Sequence, residues 1–150
     1  MSELLDLYEE YLKTEKKASV NTVSSYLRDM RQFESAMESQ DIQLEDVLPQ
    51  DVEHYAAALT SKGRSAATVT RSIASLKSFY NCMIALGVLD HNPAKGIVPA
   101  KVERKLPQIL TGKEVELFLV QPQCTDLKGY RDRAMLELLY ATGIRVSELI

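Results

Sequence analysis

Ser65-Ala66-Ala67-Thr68-Val69-Thr70-Arg71-Ser72-Ile73-Ala74-Ser75-Leu76-Lys77-Ser78-Phe79-Tyr80 is the stretch on which the fold turns. Within and just beyond it, Val69, Ile73, Leu76, Phe79, Tyr80 and Met83 recur at steps of three and four. On a helix of 3.6 residues per turn that spacing gathers them into one apolar face. Ser65 suits the start of such a helix and Gly87 its end, so the spacing predicts a helix over 65–87. A second face carries Thr68, Arg71, Ser72 and Ser75. Short hydroxyl side chains beside an arginine let a helix lie close to a phosphate backbone, with the guanidinium on phosphate or on a guanine edge. A polar stripe of this kind is as commonly a solvated helix face, so spacing alone leaves both readings open.

The same period runs outward from this helix. Ser2 is placed to cap a first helix whose inward residues are Leu4, Leu5, Tyr8 and Leu12, with a charged exit over 13–17. A second helix is predicted over 21–39, where Val23, Tyr26, Leu27, Met30, Phe33 and Met37 form a continuous stripe. Its polar side offers a smaller basic stripe in Ser24, Arg28 and Arg31. Pro49 fits the first turn of a third helix with Val52, Tyr55, Ala56 and Leu59 inward, and Gly63 closes it. No segment sustains the period-two alternation of a strand, so the expected class is all-α.

Composition sets wider bounds. A chain of 150 residues, 45% hydrophobic and 26% charged, has the make-up of a soluble globular protein with one ordinary domain or two small ones. Its apolar runs are too short to cross a bilayer, and Met1-Ser2-Glu3 is acidic rather than signal-like. Cys82 and Cys124 are isolated thiols that fit a reducing cytoplasm, and His54 and His91 lack nearby metal-ligand partners. The net charge of 18 − 21 = −3 hides an asymmetry. Residues 54–89 contain no Asp or Glu and carry Lys62, Arg64, Arg71 and Lys77, so this segment is +4 and the remainder −3 − 4 = −7. Local charge rather than the sum governs attraction to phosphate, although acid-free helices also arise by chance.

Beyond the fourth helix, residues 94–110 read as a linker. Pro99 and Pro107 discourage helix, Gly96 adds freedom, and Lys95, Lys101, Arg104 and Lys105 outweigh Glu103. Thr111 and Glu114 then form a capping-box pattern before Val115, Leu117 and Phe118. A further helix is predicted over 129–141 with Ala134, Met135, Leu138 and Leu139 inward. Residues 111–150 are too few to bury a core alone, and Val146, Leu149 and Ile150 call for partners the chain does not supply. The sequence is therefore expected to be the front of a longer protein or a deliberately cut piece. Near its end stands Leu138-Leu139-Tyr140-Ala141-Thr142-Gly143-Ile144-Arg145-Val146-Ser147-Glu148-Leu149. Gly143 suits a left-handed position after a helix, and Ser147 suits the cap of the next. Arg145, held between them, can grip an anionic group through parallel hydrogen bonds; by spacing alone it is equally a surface arginine in a helical corner.

That stretch closely resembles the first arginine motif of the tyrosine recombinases, the phage-integrase and Xer family. Asn21-Thr22-Val23-Ser24-Ser25-Tyr26-Leu27-Arg28-Asp29-Met30 resembles the second helix of the family's core-binding domain, and residues 65–80 resemble its fourth. Asn92-Pro93 matches the point where that domain commonly ends, so the resemblance spans essentially the whole chain. It implies a four- to five-helix SAM-like bundle over 1–93, a basic linker over 94–110, and an incomplete helical start of the catalytic domain over 111–150. It also implies that Arg145 binds the scissile phosphate, with Glu148 supporting the arginine loop; by its position alone, Glu148 is a first-turn acid favoured by the helix dipole. The DNA-facing residues it implies are Thr22, Ser24, Arg28, Arg31, Arg64, Ser65, Thr68, Arg71, Ser72, Ser75 and Lys77, followed by Lys101, Arg104 and Lys105 of the linker.

Further expectations follow from the same resemblance. The partner is double-stranded DNA, with other recombinase protomers on it and no membrane, and neither metal nor nucleotide cofactor is used. Family members cut DNA with a tyrosine nucleophile through a 3′-phosphotyrosyl intermediate. None of Tyr8, Tyr11, Tyr26, Tyr55, Tyr80, Tyr130 or Tyr140 occupies the matching place, so this chain is expected to bind DNA without cutting it. Two other classes stay in view: a free-standing helical DNA-binding regulator, and a helical protein-interaction module whose polar stripes contact nothing anionic.

Overall fold

Side-chain oxygens set where the helices of this chain begin. The computed structural model describes residues 3–98 and 108–150. The expected Ser2 cap and the linker residues Pro99, Lys101, Glu103, Arg104, Lys105 and Pro107 lie outside that range. Four helices come first: α1 (Glu3–Thr14), α2 (Val20–Glu38), α3 (Pro49–Ser61) and α4 (Ala66–Ala85). Three follow: α5 (Gly112–Leu119), α6 (Leu127–Thr142) and α7 (Val146–Leu149), with no strand among the described residues. The chain is all-α, as the periodicity predicts.

The cap of α2 is Ser19, two residues before the predicted start. Its Oγ accepts the Thr22 N–H at 3.2 Å, and the two hydroxyls lie 2.9 Å apart. Ser65 repeats this at α4, accepting the Thr68 N–H at 3.2 Å with the hydroxyls again 2.9 Å apart. A cap of this kind satisfies one of the four N–H groups a helix start leaves without a partner, worth about 1 kcal/mol. At α3 the Leu48 N–H donates to Asp51 Oδ2 at 2.8 Å, with Pro49 opening the first turn.

The chain divides into two compact units, with the boundary between residues 103 and 104. In the first, α4 packs on α1, α2 and α3, most extensively on α2. The predicted stripes meet in the middle: Tyr8, Met30, Phe33, Val52, Leu76, Phe79 and Met83 are all fully buried. Burial of each such side chain contributes roughly 1.5–3 kcal/mol. Tyr8 meets Phe79 edge-on at 5.4 Å and Phe33 meets Tyr55 at 4.9 Å, the arrangement the ring quadrupole favours. The Tyr80 hydroxyl donates to the Leu44 carbonyl at 2.9 Å, so the loop between α2 and α3 is tied to α4. The packed chain also runs past α4: Ala94 and Ile97 are buried in this core although the sequence places them in the linker.

The second unit is formed as locally as its sequence suggests. Thr111 and Glu114 exchange cap bonds at α5, with the Thr111 N–H donating to Glu114 Oε2 at 2.7 Å. Asp126 caps α6, accepting the Gly129 N–H at 2.7 Å. A Cβ at residue 129 would collide with the Gln123 carbonyl, which is why glycine sits there. The predicted inward face of α6 is not covered. Ala134 and Leu138 are exposed, Met135 and Leu139 only half-buried, and Gly129 alone is buried among the described residues of this unit. On α5, Leu117 and Phe118 are 61% and 54% exposed. A unit running only from residue 104 to 150 has too little chain to cover faces of this size.

Candidate nucleic-acid interface

In the first unit the candidate residues fall on α2, on α4 and on the turn before α4. Ser24, Arg28 and Arg31 lie exposed along α2, and Arg64 and Ser65 lie exposed at the start of α4. Thr22 and Thr68 are half-buried, with each hydroxyl held by the serine that caps its helix. Arg31 lines a groove of about 380 Å³ with Glu9, Lys13, Val20 and Ser24, and its charge helps hold the Glu9 carboxyl below the usual range, behind the larger effect of Lys13.

Two residues of the predicted polar stripe on α4 are internal. Ser72 is 3% exposed and Ser75 is fully buried, so neither lies on a surface. The physical reason is packing: a serine leaves room for a neighbouring helix where a larger side chain would hold it off. Ser75 Oγ donates to the Ser72 carbonyl at 2.8 Å, and the Ser75 carbonyl accepts from Tyr8 Oη at 3.4 Å. The Tyr8–Ser75 bond ties α1 to α4. Ser72 also borders Tyr55, whose phenol burial pushes above its ordinary range while the Ser72 hydroxyl offsets part of the rise. Neither of these two hydroxyls meets hydrogen-bond geometry with a partner among the described residues.

Arg71 does not stand alone. Its Nε donates to Asp29 Oδ2 and its Nη2 to Asp29 Oδ1, both at 2.9 Å, in a bidentate fork joining α4 to α2. The Asp29 side chain is 5% exposed and that of Arg71 is 44% exposed. The hydrogen bonds and charge of Asp29 hold the Arg71 guanidinium above its ordinary pKa. A carboxylate buried this deeply survives because the fork satisfies both of its oxygens. Sequence reading passes over Asp29, since its partner lies 42 residues away and nothing local marks the pair.

Lys77 is also engaged inside the unit. Its Nζ donates to the Ile97 carbonyl at 2.8 Å, which fastens the segment after α4 to the helix rather than presenting an ammonium to solvent. Asn92 works beside it. Its Nδ2 donates to the Lys77 carbonyl at 3.1 Å and to Asn81 Oδ1 at 2.8 Å, while its Oδ1 accepts the Ala94 N–H at 2.9 Å. Asn92, read from sequence only as the place where a domain ends, is the residue that turns the chain back onto α4.

In the second unit Arg145 stands at the N-cap of α7, one position before helical geometry begins. Gly143 caps α6 in the left-handed conformation, φ 66°, as predicted. Ser147, predicted as the next cap, lies inside the first turn of α7 instead. Glu148 does the capping from the other side: its Oε2 accepts the Arg145 N–H at 2.8 Å and its Oε1 lies 3.2 Å from Arg145 Nη1. One carboxylate thus holds both the backbone and the guanidinium of Arg145, whose side chain is 82% exposed. Lys101, Arg104 and Lys105 lie outside the described residues.

Residues 5–87 match the family described as the phage integrase N-terminal SAM-like domain. The chain is 37% identical over 147 residues to the tyrosine recombinase XerD of Shewanella oneidensis, covering 98% of this chain and 49% of that protein. It is 36% identical over 151 residues to XerD of Staphylococcus haemolyticus, covering 100% of this chain and 51% of that one. The fold is similar to that of the Tn1549 transposon integrase solved in complex with circular intermediate DNA. That similarity has a TM-score of 0.65 at 25% identity and covers 97% of this chain and 47% of the integrase. The chain spans about half the length of the curated relatives it matches. Among the described residues no helix is long and apolar enough to cross a membrane.

Proposed function

Because the chain belongs to the phage integrase N-terminal SAM-like domain family, we propose that it binds double-stranded DNA as the front portion of a site-specific tyrosine recombinase. The observation that carries this reading is the family match over residues 5–87, which takes in α2 to α4 and all but the first two residues of α1. The exposed basic and hydroxyl residues at the start of α4 and along α2 support it, since such groups position a protein on phosphates. Residues 1–93 are the DNA-binding body, and Lys101, Arg104 and Lys105 belong to a basic tether over 94–110. Residues 111–150 are the start of the catalytic domain, where Arg145 grips the scissile phosphate and Glu148 steadies it.

Cutting and rejoining through a 3′-phosphotyrosyl intermediate is the work of the whole recombinase, and this chain alone occupies DNA without breaking it. Other protomers on the same DNA are its natural companions, and the cytoplasm, where bacterial DNA lies, is its compartment. The test is a titration of the 150-residue chain against labelled duplex DNA at two salt concentrations. The expected affinity falls steeply with salt, with a slope of about 0.9 in log K per log salt for each phosphate contact. Absence of binding, or binding indifferent to salt, would overturn the reading in favour of a helical protein-interaction module.

A further inference from the structure

We infer that Arg71 reads a guanine base rather than a phosphate, and that buried Asp29 is the positioning residue that aims it. The inference rests on the DNA-binding reading above and specifies which contact this part of the α2–α4 pair makes.

The geometry of the fork is the first ground. An arginine has five N–H donors in a rigid plane. Asp29 takes the Nε donor and one Nη2 donor, so one edge of the guanidinium faces into the protein at 2.9 Å on both bonds. Three donors remain, and two of them, one on Nη1 and one on Nη2, lie parallel along the end of the group. That pair matches the O6 and N7 acceptors that guanine presents together in the major groove. The plane is pinned by two bonds to a side chain that is itself only 5% exposed, so little rotamer freedom remains to be lost on binding.

Charge is the second ground. Asp29 and Arg71 sum to zero, and a neutral pair releases few counterions and gains little from a phosphate. A residue meant to grip the backbone is better left without a buried acid. A residue meant to discriminate gains from one, because the acid fixes direction while removing the sequence-blind attraction. Holding Asp29 in the interior is also a poor way to gain stability, since apolar side chains of similar size commonly do as well as a buried ion pair.

The surroundings fit close approach. Ala67 and Ala74, about one turn to either side of Arg71 on α4, are both exposed and carry only a methyl, while the nearby Thr68 is half-buried with its hydroxyl held by Ser65. Arg71 keeps 44% of its side chain exposed, and three of its donors are not used by Asp29.

The experiment selects binding sites from a randomised duplex library with the 150-residue chain, Arg71→Lys and Asp29→Asn, and then measures salt dependence on the selected DNA. The parent is expected to enrich a motif containing a fixed guanine. Arg71→Lys keeps an ion pair with Asp29 but lacks the fork. It should lose preference at that one position by roughly 5- to 150-fold, with the other positions and the salt slope unchanged. Asp29→Asn should loosen the same position and steepen the salt slope by about 0.9, because it unmasks the arginine charge. The steepening alone follows from removing a negative charge; loosening confined to that one position is what a merely structural role for Asp29 would not produce. The double variant Asp29→Asn with Arg71→Gln leaves no orphaned charge, and it should lose the guanine while keeping its circular-dichroism spectrum. The inference fails if the parent selects no base, or if Arg71→Lys selects the parent motif. It also fails if Arg71→Lys flattens the salt slope with the motif intact, the mark of a phosphate contact. In each of these cases DNA binding itself survives; if the parent shows no salt-sensitive binding at all, the proposed function fails with it.

Discussion

The two units of this chain are helical for the same local reasons and differ in what lies against their apolar faces. Ser19, Ser65, Thr111 and Asp126 cap their helices by one device, a side-chain oxygen accepting an N–H from the first turn. In the first unit the stripes of α1 to α4 close on one another, and Leu76 and Phe79 are fully buried. In the second, Phe118 of α5, Tyr140 of α6 and Val146 of α7 are 54%, 66% and 59% exposed. Caps and periodicity suffice to draw a helix. Burial is what makes an arrangement of helices stable, because only burial offsets the entropy of ordering the chain.

The comparison can be broken most forcefully by placing a charge on each apolar face. Leu76→Asp puts an unpaired carboxylate where nothing is exposed, and it should cost more than about 4 kcal/mol and abolish the cooperative urea transition. Phe118→Asp replaces a side chain already 54% exposed and should shift the same transition by less than about 0.5 kcal/mol. Circular dichroism during urea titration reads both. Equal losses would mean that the second unit carries a share of the stability its exposure does not suggest.

Alkali sharpens the contrast through the buried phenols. Burial pushes Tyr8 and Tyr80 well above their ordinary value of 10.0, and raises Tyr55 as well. The sign follows from linkage. Each phenol stays protonated in the folded state to a higher pH than in the unfolded state, so its contribution is complete below pH 10 and is lost as pH rises beyond it. The first unit should therefore unfold in strong base, with phenolate absorbance from these tyrosines rising together with loss of helix rather than before it. Phenolate appearing in full while helix content holds would show that Tyr8 and Tyr80 are less enclosed than their exposure of at most 1% implies.

What sequence reading recovers divides along the same line. Val69, Ile73, Leu76 and Phe79 announce the core because helical periodicity is a local signal, and all are buried. Gly143 announces its left-handed turn because few other residues tolerate φ 66°. The surface of the proposed site is harder to read. Ser72 and Ser75 look like groove-facing hydroxyls by spacing, yet they are internal, because small size serves helix packing as well as DNA approach. The Arg71–Asp29 fork and the Lys77–Ile97 bond span 42 and 20 residues, and no local pattern encodes a tertiary partner. On the second unit, the stripe of Met135 and Leu139 is legible, but a stripe does not say whether anything covers it.

The two cysteines report on the comparison without any substitution, since one lies in each unit. Cys82 is buried on α4, and desolvation pushes its thiol up to about 11, so at neutral pH it is both shielded and protonated. Cys124 is only partly covered. A thiol reagent at neutral pH should label Cys124 readily and Cys82 only at the rate at which the first unit opens. Added urea should accelerate the second reaction and leave the first nearly unchanged. Comparable rates at both positions would put the opening of the first unit far below the stability its packing implies.

The smallest expected effect isolates local geometry from burial. Gly143 has φ 66° and a Cβ there would meet nothing within 4 Å, so Gly143→Ala adds backbone strain and no collision. The cost should be about 1 kcal/mol, confined to the end of α6 and the Arg145 loop. Faster amide exchange over residues 139–148 with unchanged exchange in α1 to α4 would show that the Arg145–Glu148 clamp depends on this turn. That clamp has little else to rely on. The Arg145 side chain is 82% exposed, and the bonds that hold it come from one carboxylate three residues on. If exchange in the loop were unaffected, Glu148 would be sufficient by itself, and Glu148→Ala would then be the change that releases the arginine.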